Sequence, residues 1–415
     1  MDINEIAKKI HQAGGKLYLV GGAIRDEIMG KEIYDKDYAI TGIEKEQFKT
    51  LFQGAIPRGK SFEVFDIEGA EFALARKEKK VGLGHKEFET ETSKEITIEE
   101  DLSRRDITIN AIAKEILTGK IIDPFNGIND IKNKTIRATT NAFSEDPLRV
   151  YRVARIAAKT GFNVERRTLE LMESLRKELT TLSKERVFHE FEKALETDKP
   201  SIFFNVLRDA NVLDVHFKEI YDLIGSLQPI EYHPEGDSYN HTMIVVDKAA
   251  TLTKDSSIRF AALVHDLGKG VTPKSMYPHH YGHDEKGVEI VQKFGQRIGA
   301  PHKWISYGKV SAKEHMKGGI FYKMTPPKKV SFIERVAKSK LGLHGLQIVV
   351  IADKCSTRNM KLEDIEFEKI GKECITKING KYIKEKYGIE EGLKLKEKLH
   401  EERVSWMTIQ TQISI

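Results

Sequence analysis

The stretch YDKDYAI, residues 34–40, sets Asp35 and Asp37 one residue apart in a run that otherwise reads as a strand. Residues i and i+2 of a strand project to one face, so these two carboxylates converge. Like charges held together are costly unless cations sit between them. Hard divalent ions such as Mg²⁺ take oxygen ligands and share their shell with substrate phosphates. Two such ions about 4 Å apart can hold both the attacking and the leaving oxygen of a phosphoryl or nucleotidyl transfer. Taken alone, an Asp-x-Asp pair is more often a solvated feature of an edge strand. The preceding LVGGAIRD shifts the balance toward chemistry. Gly21 and Gly22, between a strand and a helix start, let backbone N–H groups approach a phosphate, and Arg25 lies where a triphosphate would rest. Asp26 reads as the partner that holds Arg25.

Two further groups have chemical potential. In EDPLRVYRVAR, Asp146 and Arg149 are three apart and are expected on one helix face, an acceptor beside a fork of donors. Cytosine and adenine each present an amino donor next to an acceptor and can satisfy that pair, whereas uracil and guanine present the wrong order. A good bidentate contact discriminates by about 1–3 kcal/mol. Arg152 and Arg155 extend the row toward phosphates or a stacked base; on an isolated helix they would simply be solvated. Downstream, a His-rich block at 239–355 includes VHDLGKG, with His265 and Asp266 adjacent in what reads as an apolar helix. An isolated His-Asp pair is usually only a hydrogen-bonded pair.

The elements that must position these residues change character along the chain. Ile3, Ile6 and Ile10 mark a short amphipathic N-terminal helix with no apolar core of signal-peptide length. KLYLV, FEVFDI, AEFALA and KIIDPF read as strands, AIRDEIMG as a helix ended by Gly30, and TINAIAKEI as a helix. From Asp146 onward the pattern is helical, as in SKERVFHEFEKALET and SIFFNVLRDANVL. SLQPIEYHPEGDSYN is the linker candidate. Residues 1–137 are therefore an α+β or α/β module, taken as α+β with a mixed-sheet head, and the helical remainder divides into a neck and body over 138–235, the His-rich domain over 236–355, and a Lys/Glu-rich helical tail over 356–415. A chain of 415 residues has ample material for several cores. Its net charge of +5 is compatible with a polyanionic partner and equally with a well-solvated surface. The two cysteines, Cys355 and Cys374, have no metal-ligand spacing and point to a reducing, cytoplasmic compartment. No segment is apolar for long enough to span a membrane.

The order LVGGAIRD, DKDYAI, RRDITINA, DPFNG and EDPLRVYRVAR resembles, motif for motif, the bacterial tRNA nucleotidyltransferase (CCA-adding) and poly(A) polymerase family. The resemblance implies that Asp35 and Asp37 hold two Mg²⁺ ions, with Glu71 in EFALAR as the third carboxylate. It implies that Arg104 and Arg105 touch nucleotide phosphate or sugar while Asp106 and Asn110 orient neighbours, and that DPFNG is a hinge turn. The partners it implies are CTP, ATP and the acceptor stem and 3′ end of tRNA. The charged stretch FALARKEKKVGLGHKEFE, with Gly82 and Gly84, matches a flexible loop of members that add the terminal A. The spaced set H…HD…D resembles the HD phosphohydrolase superfamily. There His241, His265, Asp266 and Asp353 would hold a divalent metal, with Lys269 near a phosphate and His280, His283 and His315 serving a second metal or the substrate. His-rich ligation suits Ni²⁺ or another transition metal better than Mg²⁺, with activated water as the nucleophile. Every ligand position is filled, so hydrolysis of phosphate esters, 2′-nucleotides and 2′,3′-cyclic phosphodiesters is expected. The alternatives are a poly(A) polymerase, an A-adding enzyme working with a separate CC-adding one, or a non-catalytic RNA-binding protein. Monomer and homodimer are both compatible with the sequence.

Overall fold

The computed structural model describes residues 2–33, 36–58, 64–80, 88–231, 233–357 and 366–413. Asp35, Gly82 and Gly84 lie outside those residues. Two compact units divide the chain, Met1–Ser183 with Asn205–Val212, and Lys184–Phe204 with Leu213–Ile415.

The first unit is built on strands β1 (Lys16–Val20), β2 (Asp37–Thr41), β3 (Ile56–Arg58), β4 (Val64–Ile67), β5 (Ala70–Leu74), β6 (Arg76–Lys80), β7 (Phe88–Thr92), β8 (Ala113–Glu115) and β9 (Ile121–Ile122). Seven form one sheet in the order β3-β4-β5-β2-β1-β8-β9. Only β2 and β5 pair in parallel; the other pairs are antiparallel, so the sheet is mixed. Both of its faces are covered. Tyr38 stacks on Phe72 on one face, where Phe65 meets Phe48 of the helix Lys45–Leu51. Tyr18, Val20 and Ala39 on the other face pack with Ile98 and Leu102 of the helix Ile98–Ser103. That second helix ends beside the arginine pair, so its burial fixes where the pair emerges.

TINAIAKEI departs from expectation. Its residues form a 3₁₀ turn, Thr108–Asn110, followed by β8, not a helix. Ile107, Ile109, Ala111, Ile112 and Ala113 are all fully buried, and an apolar run buried on every side carries no periodicity to separate helix from strand. The flanks of the charged Gly82–Gly84 stretch pair as a hairpin, β6 with β7. DPFNG is the expected tight turn: Asn126 is left-handed, and the Asp123 carboxylate accepts from the N–H groups of Gly127 at 2.7 Å and Ile128 at 2.9 Å.

Among its described residues the second unit forms helices and no strand. Phe191, Phe204, Phe217 and Phe260 interlock in one aromatic cluster. A second core joins the helices Ser238–Leu252, Ser256–Leu263, Pro326–Lys338 and Gly342–Thr357 through Val245, Ala261, Ile333 and Val349. The stretch expected as a linker is folded back on itself. Gln228 N–H donates to the Gly236 carbonyl at 3.1 Å and Ser238 N–H to the Ser226 carbonyl at 2.9 Å. No helix among the described residues is long and apolar enough to cross a membrane.

Candidate functional site

Asp37 opens β2, paired with Val20 of β1 on one side and with Glu71 of β5 on the other. Register partners project to the same face, so these two exposed carboxylates leave the sheet side by side. Asp66 continues the row on β4, but it is buried and its Oδ1 accepts from the Gly69 N–H at 3.1 Å. Gly21 turns the chain from β1 into the helix Gly22–Ile28 at φ +75°, ψ −141°, a region that only glycine visits cheaply. A Cβ on Gly21 would lie 3.2 Å from Arg105 Nη1 and 3.7 Å from Asp37 Oδ2. The glycine turn, one metal-type carboxylate and one arginine of the RRD motif therefore meet at one place.

The arginines are held from behind. Asp101, 1% exposed, accepts from Arg104 Nε and Nη2 at 3.0 and 2.7 Å and from Arg105 Nη2 at 3.2 Å. The Arg76 N–H also reaches its Oδ1, at 3.2 Å. Burial alone would raise the Asp101 carboxyl, but the charges of Arg104 and Arg105 outweigh it and hold it below its ordinary value. Asp106 is a second buried hub. It accepts from Asn110 Nδ2 at 3.3 Å and Arg152 Nε at 2.9 Å, and Asn110 Oδ1 in turn accepts from Arg25 Nη1 at 2.8 Å. Burial pushes Asp106 up, yet Arg152 and Arg149 bring it down to about 2.

Three expected contacts differ in detail. Asp26 holds Arg25 as expected, its Oδ1 accepting from Nε at 2.9 Å, but Arg25 is buried and its guanidinium is committed to Asp26 and Asn110 and does not lie open to a triphosphate. Asp146 does not share a helix face with Arg149. It precedes the helix Arg149–Thr160 in extended backbone, and its Oδ1 accepts from the Leu148 N–H at 3.0 Å. An Asp this close to a helix start is drawn to the unpaired N–H groups there. Arg149 is buried and donates to the carbonyls of Ala142 and Arg104, both at 2.6 Å. Arg155 is half-buried on the same helix.

In the second unit, His265 and Asp266 sit in the turn that follows the helix Ser256–Leu263, not inside it. Around them the sequence-expected residues converge. His241 Nε2 is 3.2 Å from Asp353 Oδ1, His265 Nε2 3.2 Å from Asp266 Oδ2, His283 Nε2 3.4 Å and His315 Nε2 3.3 Å from Asp266 Oδ1, and Lys269 Nζ 2.6 Å from Asp266 Oδ2. His280 does not join them: its ring nitrogens face Thr272 Oγ1 at 3.0 Å and the Leu227 carbonyl at 2.9 Å. Burial and close packing fix this cluster. A Cβ on Gly268 would fall 1.9 Å from the His283 carbonyl oxygen, so only glycine lets the HD turn lie against the start of the helix His283–Ile298.

The proton positions decide what the cluster is for. His265 Nδ1 faces the Ala262 carbonyl at 2.7 Å, His283 Nδ1 the His280 carbonyl at 2.7 Å, and His315 Nδ1 the Ser311 carbonyl at 3.0 Å. A carbonyl only accepts, so each Nδ1 carries a hydrogen, and Nε2 is the ring atom that faces a carboxylate and could ligate a cation. The Nε2 atoms of His241, His265 and His283, together with Asp266 Oδ1, are buried without a hydrogen-bond partner. Buried carboxylates and imidazole nitrogens this close need positive charge among them, either protons or a metal ion. The donor set therefore fits a divalent ion, and His241, His265 and Asp353, or His265, Asp266 and His315, have ligand atoms near enough to share one. Burial opposes ionisation of Asp266, but His265 and Lys269 hold its carboxyl well below the usual range; Lys354 and His241 do the same for Asp353.

Sequence reasoning missed Asp101, whose spacing of three and four from the arginine pair was the available signal, and it missed His233, Glu235 and Gln228. The latter three lie in the stretch expected to be a linker. Glu235 Oε1 meets His241 Nδ1 at 2.7 Å and His233 Nδ1 at 2.9 Å, and Gln228 Oε1 accepts from Lys269 Nζ at 2.5 Å.

The chain is thus a mixed-sheet head with carboxylates beside a glycine turn, joined in sequence to a helical unit with a His/Asp centre. Family models match in the same order: "Poly A polymerase head domain" over residues 17–137, "Probable RNA and SrmB- binding site of polymerase A" over 161–223, and "HD domain" over 238–358. The chain is 43% identical to the multifunctional CCA protein of Shewanella frigidimarina, covering 72% of this chain and 73% of that one. It is 42% identical to that of Shewanella denitrificans, over 81% and 83%. Among solved structures it shares its fold with a Bacillus stearothermophilus CCA-adding enzyme, at TM-score 0.62 and 20% identity, covering 99% and 97% of the two chains. The chain belongs to the multifunctional CCA protein family of class II nucleotidyltransferases.

Proposed function

We propose that this chain adds C, C and A stepwise to the 3′ end of tRNA, without a nucleic-acid template, using CTP and ATP. The observation that carries the reading is the register of Asp37 beside Glu71 at the Gly21 turn, with Arg105 over it. The relationship to the multifunctional CCA proteins supports it. In the reaction the tRNA 3′ hydroxyl loses its proton to solvent and its oxygen attacks the α-phosphorus, the bond from that phosphorus to the bridging α–β oxygen breaks, and pyrophosphate leaves with that oxygen. Asp35, Asp37 and Glu71 form the carboxylate set for Mg²⁺, which when bound would neutralise the phosphate charge that builds up. Gly21 and Gly22 bring backbone N–H groups to the triphosphate, and Arg104 and Arg105, braced by Asp101, face phosphate or sugar. Asp146 and Arg149 read the base, for which Arg149 exchanges its bonds to Ala142 and Arg104. Arg25, buried behind the turn, acts through Asp26 and Asn110, and Arg152 and Arg155 line the same helix.

The His/Asp centre is assigned metal-dependent hydrolysis of phosphate esters, 2′,3′-cyclic phosphodiesters included. Its imidazole-rich set favours Ni²⁺ or another transition metal, which when bound would activate water. Lys269 neutralises the substrate phosphate. Residues 1–137 are the catalytic head, 138–235 the neck and body, 236–355 the HD domain and 356–415 a tail that grips the acceptor stem through its phosphates. A cytoplasmic home follows from the substrate.

The test is incubation with tRNA lacking CCA, CTP, ATP and UTP. Addition of three nucleotides and no uridylate is expected. Long A tails would favour a poly(A) polymerase, and no incorporation would favour a non-catalytic RNA-binding protein.

A further inference from the structure

We propose that Glu235 is a positioning residue of the HD centre, fixing the tautomer and the aim of His241. The inference rests on the metal reading of that centre and goes beyond it. His241 differs from the other histidines of the cluster. His265, His283 and His315 hand their Nδ1 hydrogens to carbonyls on the main chain close to their own positions. His241 Nδ1 instead faces a carboxylate oxygen, Glu235 Oε1, at 2.7 Å, while its Nε2 points to Asp353. The carboxylate is an acceptor, so a hydrogen sits on Nδ1, and with an ion held among His241, His265 and Asp353 the Nε2 lone pair would be turned toward it. A negatively charged acceptor for that hydrogen also makes the ring a stronger donor toward a cation than a carbonyl acceptor would.

Glu235 is itself held in place. His233 Nδ1 meets the same Oε1 at 2.9 Å, and the His233 and His241 rings stand edge to face with centroids 4.7 Å apart. The other oxygen, Oε2, is buried without a partner. The segment that carries the carboxylate is pinned at both ends. Gly225 N–H donates to Asp237 Oδ2 at 2.8 Å, and Asp237 Oδ1 accepts from the Asn240 N–H at 2.9 Å, closing the start of the helix Ser238–Leu252 that carries His241. The same segment supplies Gln228 to Lys269, so it reaches two members of the centre.

The test is Co²⁺ binding to the full-length metal-free protein, followed by the visible d–d absorption and by chelator competition. Glu235→Ala should weaken binding about 10- to 100-fold and change the band shape. Glu235→Gln, which keeps the acceptor oxygen without the charge, should lose several-fold. Helical circular dichroism and the Tm of the helical unit serve as the folding control in each variant. An unchanged constant and spectrum in Glu235→Ala overturns the proposal. Should that variant fail to fold, an unchanged constant in Glu235→Gln overturns it instead. Failure of the unmodified protein to bind Co²⁺ would count against the metal reading itself, a separate outcome.

Discussion

Replacing Asp101 by Asn probes how the head holds its arginine pair. The carboxylate is 1% exposed and accepts from Arg104, from Arg105 and from the Arg76 N–H. The amide keeps the shape, removes the charge and leaves two guanidinium groups facing a neutral partner. Removing one member of a buried ion pair costs about 3–5 kcal/mol. The arginine side chains are 16% and 20% exposed, so water offsets part of this, and the low end applies. A loss of about 3 kcal/mol from a domain stability of about 5–15 kcal/mol leaves the head folded at 25 °C. The functional cost is separate. A charge-assisted hydrogen bond to phosphate that is no longer aimed forfeits about 1.5–3 kcal/mol, or about 10- to 100-fold in kcat/KM. The assay is steady-state incorporation of CMP and AMP into tRNA lacking CCA, with folding checked by circular dichroism and with hydrolysis at the HD centre as an internal reference. A folded Asp101→Asn protein whose kcat/KM for CTP lies within twofold of the parent would refute the bracing role.

Asp106 should give the head an acid-sensitive component. Its folded value of about 2 lies below the ordinary 3.8, so its stabilisation is complete above about pH 4 and is lost as pH falls through about 2. The shift corresponds to roughly 2 kcal/mol. Denaturant midpoints should therefore fall more steeply between pH 5 and pH 2 for the parent than for Asp106→Asn; parallel curves would contradict this. Arg259, fully buried, donates to the carbonyls of Thr253, Leu195, Thr197 and Ala250 at 2.5–3.0 Å. Arg259→Met strands those acceptors and should cost at least about 3 kcal/mol, seen as a lower Tm of the helical unit. Gly268→Ala forces the HD turn away from His283 and should abolish metal-dependent hydrolysis while nucleotide incorporation persists, measured in the same preparation.

Local patterning made most of this fold readable. KLYLV, a short apolar run buried on both faces, and the N-terminal helix, amphipathic with Ile6 and Ile10 inward, are found where their patterns put them. TINAIAKEI was misread because burial on all sides erases periodicity, and only the pairing of β1 with β8 decides its form. The H…HD…D spacing was legible as a cluster, since its residues converge, while Asp35 of the Asp-x-Asp pair lies outside the described residues. What sequence could not supply was the register that sets Glu71 beside Asp37, a contact between residues far apart in the chain. Nor could it supply the buried partners. Asp101 looks like any acid in an acidic first turn, and Glu235 looks like loop polarity beside Pro234 and Gly236, until packing turns each one inward. The geometry at Asp146 and Arg149 was misjudged for a related reason: the helix begins only at Arg149, so the three-residue spacing does not span one of its faces.

Two independent reaction centres on one chain are tested most directly by measuring both activities side by side in Asp37→Ala and His265→Ala. Nucleotide incorporation should vanish in the first variant and persist in the second. Hydrolysis of 2′,3′-cyclic AMP in the presence of Ni²⁺ should do the reverse. Incorporation that survives Asp37→Ala, or hydrolysis that survives His265→Ala, would contradict the assignment of that centre.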